Sequence, residues 1–313
     1  MAQPVSLAET AAQSAAAASR PAASAGSSGP MRVVPLEGGC GAMIEGVDLT
    51  RDITPAEFDF VQQAWNDHLV LVFRGQDIDE DAQLRFAERF GPLGDRKVAP
   101  GVLRERAEGV KQINPKILLV SNIKEDGKPI GAFGDGEMWF HIDSGYSAKP
   151  YRYTFIYGVT LPSTGGNTLF SNMYKAAQAV PAKLRERLQG RRALHIHEYK
   201  RAERVDLSAD ISGVPHFWHP VFIRHPLTGR ESLFVDRLMT QAIEGLEPAE
   251  SEDILAQLYE IGERKEFIYE HVWRLGDFVM WDNLATIHAR TWFPPEEQRL
   301  LRRCTVEGVP VSG

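Results

Sequence analysis

Beyond Met31 the chain runs in short apolar stretches punctuated by turn residues, and stretches of that length read as strands. Met31 to Leu36, Leu69 to Phe73, Lys116 to Asn122 and Tyr151 to Val159 have this form, the last rich in β-branched and aromatic residues. The final third adds strands near His219 to Arg224, Ser232 to Val235, Phe267 to Arg274, Asp277 to Trp281 and Leu300 to Glu307. Helical signals are fewer. Thr54-Pro55-Ala56-Glu57 is a capping box with proline in the first turn, opening a helix to about Asn66. Further helices are expected over Asp79 to Phe90, Asn172 to Gln189 and Ala249 to Glu263. Strands that do not alternate strictly with helices, and the lack of a glycine-rich strand-to-helix loop, predict a mainly β fold with flanking helices built on an antiparallel double-sheet roll. The same pattern argues against a dinucleotide-binding fold.

Composition narrows the function. With 313 residues, 43% of them hydrophobic, the chain has enough apolar side chains for one large core. Residues 1–30 are rich in Ala, Ser, Pro and Gly and are expected to be a disordered tail, leaving 31–313 as a single domain. A net charge of −7 with scattered Lys and Arg argues against nucleic acid or an anionic membrane as partner, and no stretch reaches the ~18–20 apolar residues that cross a bilayer. Cys40 and Cys304 lie far apart, which excludes a disulfide scaffold and a thiolate-rich zinc motif and suits a reducing cytoplasm. Gly91 to Phe140 mixes Gly, Pro, Lys and Asp around one strand and reads as a long active-site loop.

Nine histidines offer chemistry. His141-Ile142-Asp143 stands out, because residues i and i+2 at a strand end point to one side and present an imidazole and a carboxylate together. Trp139, Phe140 and Tyr146 supply an aromatic wall around them. His288, after the apolar run Phe278 to Ile287, is the natural third ligand; two imidazoles and one carboxylate on one face leave three positions open on octahedral iron(II). His195 and His197 share the spacing but sit among basic residues, and Pro220 and Pro226 follow His219 and His225, so these four read as structural.

Arg299 and Arg303 come 11 and 15 residues after His288. Their even separation points both guanidinium groups to one side of the last strand, and an inward-facing Arg must find an anion. Two such cations beside a metal ligand call for two carboxylate-bearing small molecules, or for one molecule and a protein acid. A solvated basic edge is the bland alternative.

Taken together, Gly46-Val47-Asp48-Leu49, Phe90-Gly91-Pro92-Leu93, His141-x-Asp143, Leu161-Pro162-Ser163-Thr164-Gly165-Gly166-Asn167-Thr168, His219-Pro220, His225-Pro226 with Thr228-Gly229, Trp281-Asp282-Asn283 and His288 with Arg299 and Arg303 form an ordered set. In that order the chain resembles the taurine dioxygenase family, the iron(II)- and 2-oxoglutarate-dependent oxygenases that include the phenoxyacetate herbicide dioxygenases. The resemblance implies a double-stranded β-helix (jelly-roll) core, with His141, Asp143 and His288 binding Fe(2+), and Thr168 and Arg299 holding the distal carboxylate of 2-oxoglutarate. It implies O2-dependent hydroxylation with release of succinate and CO2. Asp143, where related halogenases have no carboxylate, favours hydroxylation over halogenation.

Arg303 is then expected beside the substrate, a small carboxylate or sulfonate, in a homo-oligomeric enzyme. Glu137 stands where the taurine-binding pattern has an amide, which makes it a second substrate-site candidate and argues against taurine. Two rivals use the same His/Asp/His set: a zinc-dependent hydrolase and a non-catalytic ligand-binding roll.

Overall fold

The computed structural model describes residues 29–95, 114–197 and 206–313. The expected tail falls outside these residues except for its last two positions, as does the middle of the Gly91 to Phe140 loop. Two sheets face each other. The larger has seven strands in the spatial order Arg32–Pro35, Ala42–Glu45, Val70–Phe73, Phe278–Asp282, Tyr153–Thr160, Leu300–Val306, Leu118–Ser121, antiparallel except where Ala42–Glu45 runs alongside Val70–Phe73. The smaller is antiparallel throughout, in the order Ile268–His271, Thr168–Asn172, Thr286–Arg290, Met138–His141.

Phe278–Asp282 explains why the larger sheet is buried on both sides. Strand side chains alternate between faces. Phe278 and Met280 point outward into a cluster with Phe155, Trp65 and Phe86, while Val279 and Trp281 point inward against Val70, Ile156 and Leu301 and, from the opposite sheet, Phe170 and Tyr269. The outer cluster is covered by the helices Pro55–His68 and Glu80–Glu88. The first starts as its sequence demands: Thr54 Oγ1 accepts from the Glu57 amide at 3.2 Å, and the Glu57 carboxylate accepts from the Thr54 amide at 2.7 Å. Behind the smaller sheet the helix Pro248–Gly262 contributes Ile254, Leu255 and Leu258 to a second core.

The expected helix over Asn172 to Gln189 is two helices, Met173–Ala179 and Ala182–Leu188. Asn172 caps the first through its side-chain oxygen, and Pro181 forces Val180 into an extended conformation that ends it. The expected strand His219 to Arg224 is also two, His216–Pro220 and Phe222–Arg224, which pair with different partners. Thr168–Asn172, central to the smaller sheet, carries no strict alternation in sequence, and every residue of it and of the neighbouring Thr286–Arg290 is buried because both faces are covered. Among the described residues no helix is long and apolar enough to cross a membrane.

Candidate metal centre and anion site

His141 and His288 are register partners on adjacent antiparallel strands of the smaller sheet, so their imidazoles project together, ring centroids 4.1 Å apart. Asp143 follows two residues past His141, where the chain turns through Ser144 at φ 55°. A side chain from the Trp281-Asp282-Asn283 segment fixes that turn. Asn283 Oδ1 accepts from the Asp143 amide at 2.8 Å, and its Nδ2 donates to the carbonyls of Asp143 at 2.9 Å and Tyr151 at 2.7 Å.

The Asp143 carboxylate is held on both oxygens: Thr154 Oγ1 donates to Oδ2 at 2.7 Å and Arg303 Nη1 to Oδ1 at 2.8 Å. Oδ1 lies 4.0 Å from His141 Nε2 and 3.9 Å from His288 Nε2. One ligand atom from each of the three buried residues falls within 4.8 Å of the others.

This donor set fits a six-coordinate divalent ion of iron's kind. The His141 Nδ1 lies 2.9 Å from the Trp139 carbonyl, an acceptor only, which places the proton on Nδ1 and leaves the Nε2 lone pair for a metal. Burial pulls both imidazoles below the usual histidine range against the raising effect of Asp143, with Arg303 lowering both and His141 lowering His288, so both are neutral near pH 7. For Asp143, burial pushes the carboxyl up, but Arg303, the two imidazoles and the Thr154 hydrogen bond together outweigh it and bring the pKa to about 2. All three donors are in ligand form.

The second half of the site is cationic. Arg299, one residue before the strand Leu300–Val306, and Arg303 within it both turn inward, to the Gly166 carbonyl and to Asp143; Arg302 between them turns outward to the Ile78 carbonyl and the Tyr157 ring. Arg299 is only 2% exposed, its Nη2 donating to the Gly166 carbonyl at 3.1 Å and its Nε lacking a hydrogen-bond partner. Among the described residues no carboxylate pairs with it. Burial, then the nearby Arg290 charge, lowers its pKa to about 9.

The approach of backbone to Arg299 requires glycine. Gly165 and Gly166 both have positive φ (69° and 65°), and a Cβ on Gly166 would come within 3.1 Å of Arg299 Nε. Thr168 is buried two residues on, opposite Arg290 in the ladder, and its Oγ1 accepts from Trp273 Nε1 at 3.0 Å. A buried guanidinium with donors to spare, near a buried hydroxyl, is what an anionic small molecule would require.

Glu137 is half-buried just before the strand Met138–His141. Arg303 meets the carboxylate of Asp143. His219 Nε2 sits 3.0 Å from the Ser147 carbonyl, His195 Nδ1 3.2 Å from Thr240 Oγ1, and His225 Nε2 2.9 Å from Asp282 Oδ2; each is fully buried in the frame around the centre.

Sequence reasoning missed Arg290. Two residues beyond His288 and on its face of the strand, it donates from Nη1 to the carbonyls of Phe133 at 2.8 Å and Gly134 at 3.1 Å, from Nη2 to Asp135 at 2.9 Å and from Nε to Gly136 at 3.0 Å. Phe133, whose φ of 61° is uncommon for a bulky residue, is thereby held with its ring 5.7 Å from the Arg303 guanidinium carbon. The signal was available in the parity of His288 and Arg290.

Residues 32–305 match the family model described as "Taurine catabolism dioxygenase TauD, TfdA family". Pentalenolactone F synthase of Streptomyces avermitilis is 35% identical over 282 residues, covering 84% of this chain and 89% of the relative. The alpha-ketoglutarate-dependent 2,4-dichlorophenoxyacetate dioxygenase of Cupriavidus pinatubonensis is 32% identical, with 84% and 93% covered. Among solved structures, AAD-2 in complex with Mn(II) and N-oxalylglycine superposes with a TM-score of 0.75 at 26% identity, covering 91% of this chain and 99% of that one. A taurine dioxygenase from Burkholderia xenovorans gives 0.73 at 29% identity, with 90% and 93% covered.

Proposed function

The chain belongs to the TauD, TfdA family and is a 2-oxoglutarate-dependent non-haem iron dioxygenase, and from that premise we propose that it hydroxylates a small organic acid, releasing succinate and CO2. The observation that carries the reading is the buried cluster of His141, Asp143 and His288, reached by Arg303 from the strand Leu300–Val306, with the Arg299 guanidinium just before that strand buried and without a carboxylate partner among the described residues. The two facing sheets support a double-stranded β-helix core, with residues 31–313 forming one domain.

In this reading His141, Asp143 and His288 hold Fe(2+), and the bound metal supplies the activation of O2 and the oxidising power for C–H hydroxylation. The protein supplies position. Asn283 holds the backbone of Asp143, Thr154 holds its carboxylate, and the Trp139 carbonyl fixes the His141 tautomer, which limits the rearrangement that metal entry requires. Arg299 gives the distal carboxylate of 2-oxoglutarate a charge-assisted partner, with Thr168 as a second donor. That anchoring aims the keto-acid end of the molecule at the metal.

Arg303 faces both Asp143 and the substrate. A guanidinium carries five N–H donors, so a hydrogen bond to Asp143 is compatible with recognition of a substrate carboxylate or sulfonate. Glu137, at the edge of the same strand as His141, disfavours a second negative group on the substrate near the entrance. Trp139 and Tyr146, which pack with Leu238 and Met239, keep water from the wall beside the reacting carbon. One relative is named for a phenoxyacetate substrate and another for a pentalenolactone product, both small molecules, which supports the same class here.

A panel of carboxylates, sulfonates and amines, scored for substrate-stimulated succinate release in the presence of iron(II) and O2, tests the proposal. A small acid should stimulate release and carry the new oxygen. Turnover of any substrate with zinc, without O2 or keto acid, would replace the reading with a hydrolase.

A further inference from the structure

Thr168 Oγ1 accepts a hydrogen bond from the indole Nε1 of Trp273 at 3.0 Å, and that indole is itself fixed in place. Trp273 lies just past the strand Ile268–His271, whose His271 is the register partner of Thr168. Its ring stands edge-on to the His271 imidazole, centroids 4.5 Å apart and planes at 87°. The imidazole is fully buried, with Nε2 3.1 Å from Asp277 Oδ2 and Nδ1 2.9 Å from the Tyr269 hydroxyl; Asp277 in turn pairs with Arg74. On the other side a Cβ added to Gly158 would touch the indole at 3.4 Å.

A hydroxyl has one proton and two lone pairs, whereas an indole N–H only donates. With Trp273 occupying a lone pair, the Thr168 oxygen is an acceptor on that side and its own proton is turned elsewhere. A carboxylate only accepts. We propose that Trp273 is a positioning residue for the co-substrate, holding the Thr168 hydroxyl oriented as a donor toward the distal carboxylate of 2-oxoglutarate. The inference rests on the reading of Thr168 and Arg299 as that carboxylate's site. Without the indole, a strand threonine is free to turn its proton to a nearby backbone carbonyl and present a lone pair to the anion instead.

The test is calorimetric titration of 2-oxoglutarate into the full chain loaded with Mn(II), for wild type, Trp273→Phe, Thr168→Val, Thr168→Ser, the Trp273→Phe/Thr168→Val pair and Arg299→Ala. Trp273→Phe keeps a ring and removes the N–H, and is expected to weaken binding about three- to tenfold with Mn(II) affinity unchanged. Thr168→Val should weaken it similarly, the pair no further, and Thr168→Ser little. Unchanged affinity in Trp273→Phe while Arg299→Ala binds weakly overturns the positioning role alone. Equal losses from Trp273→Phe with and without the Thr168 hydroxyl show a merely structural role and also overturn it. Unchanged affinity in Arg299→Ala overturns the underlying reading and this inference with it. Should Trp273→Phe not fold, indole N–H exchange in ¹⁵N-tryptophan-labelled protein decides: one indole protected in wild type and Thr168→Ser must exchange faster in Thr168→Val, and the same protection in all three overturns the contact.

Discussion

Arg303 Nη1 sits 2.8 Å from Asp143 Oδ1, the oxygen that also lies about equally far from the two imidazoles, so the last strand of the larger sheet reaches across to the centre built on the smaller one. In the proposed reading this pair ties the substrate-side cation to the metal-side carboxylate. Arg303→Gln should therefore raise the KM of acidic substrates at least about tenfold at saturating 2-oxoglutarate, while leaving amines nearly unaffected. Glu137→Gln, assayed on the same panel, should lower the KM of acids by a smaller factor. An unaltered KM for every acid in Arg303→Gln would make Arg303 a structural partner of Asp143 only.

Arg299→Ala should lose the co-substrate selectively. Removing a buried charge-assisted partner typically costs about 2–5 kcal/mol, which is at least about 30-fold in the 2-oxoglutarate KM. Metal affinity should barely move, because Arg299 makes no hydrogen bond to His141, Asp143 or His288. An unchanged KM would transfer the anchoring role to another cation.

Arg290→Ala should destabilise the fold by about 2–4 kcal/mol, since it leaves the carbonyls of residues 133–136 without their donors and releases the uncommon backbone conformation of Phe133. The melting temperature reports this. Loss of 2-oxoglutarate turnover with an unaltered melting temperature would instead assign Arg290 to ligand binding.

The pH dependence of metal binding follows from the directions of the shifts. Ordinary imidazoles titrate near 6.5 and would release protons on binding metal at about pH 6. Here burial lowers both histidines below that value and Asp143 titrates near 2, so metal displaces fewer protons. Metal affinity should fall less from about pH 8 to about pH 6 than at a site of two ordinary imidazoles, with correspondingly smaller proton release by calorimetry in buffers of different ionisation enthalpy. Release at pH 6 of as many protons as two ordinary imidazoles would give contradicts it.

The clustering of His141, Asp143 and His288 was legible because its logic is local: His141 and Asp143 obey the two-residue strand period, and His288, Arg299 and Arg303 follow in one C-terminal run. The parity of Arg299 and Arg303 survives in the structure because the irregularity where their strand pairs with Tyr153–Thr160 adds its extra residue to the partner strand. Other features were not legible because they depend on long-range partners. Nothing near Asp143 in sequence announces Arg303 or Asn283, 160 and 140 residues away. Thr168–Asn172 was hidden by the turn-forming residues before it and by burial on both faces, which erases alternation. The break at Val180-Pro181 is readable in the sequence, because proline disfavours the helical conformation at the residue before it.

The most direct measurement is the visible spectrum of the protein titrated with iron(II) and then 2-oxoglutarate under anaerobic conditions. A keto acid chelated to iron(II) at the His141, Asp143 and His288 centre is expected to give a weak metal-to-ligand band, absent in His288→Ala together with tight iron binding. Iron bound with no band on addition of 2-oxoglutarate, or a wild-type band in His288→Ala, would contradict the assignment of this centre.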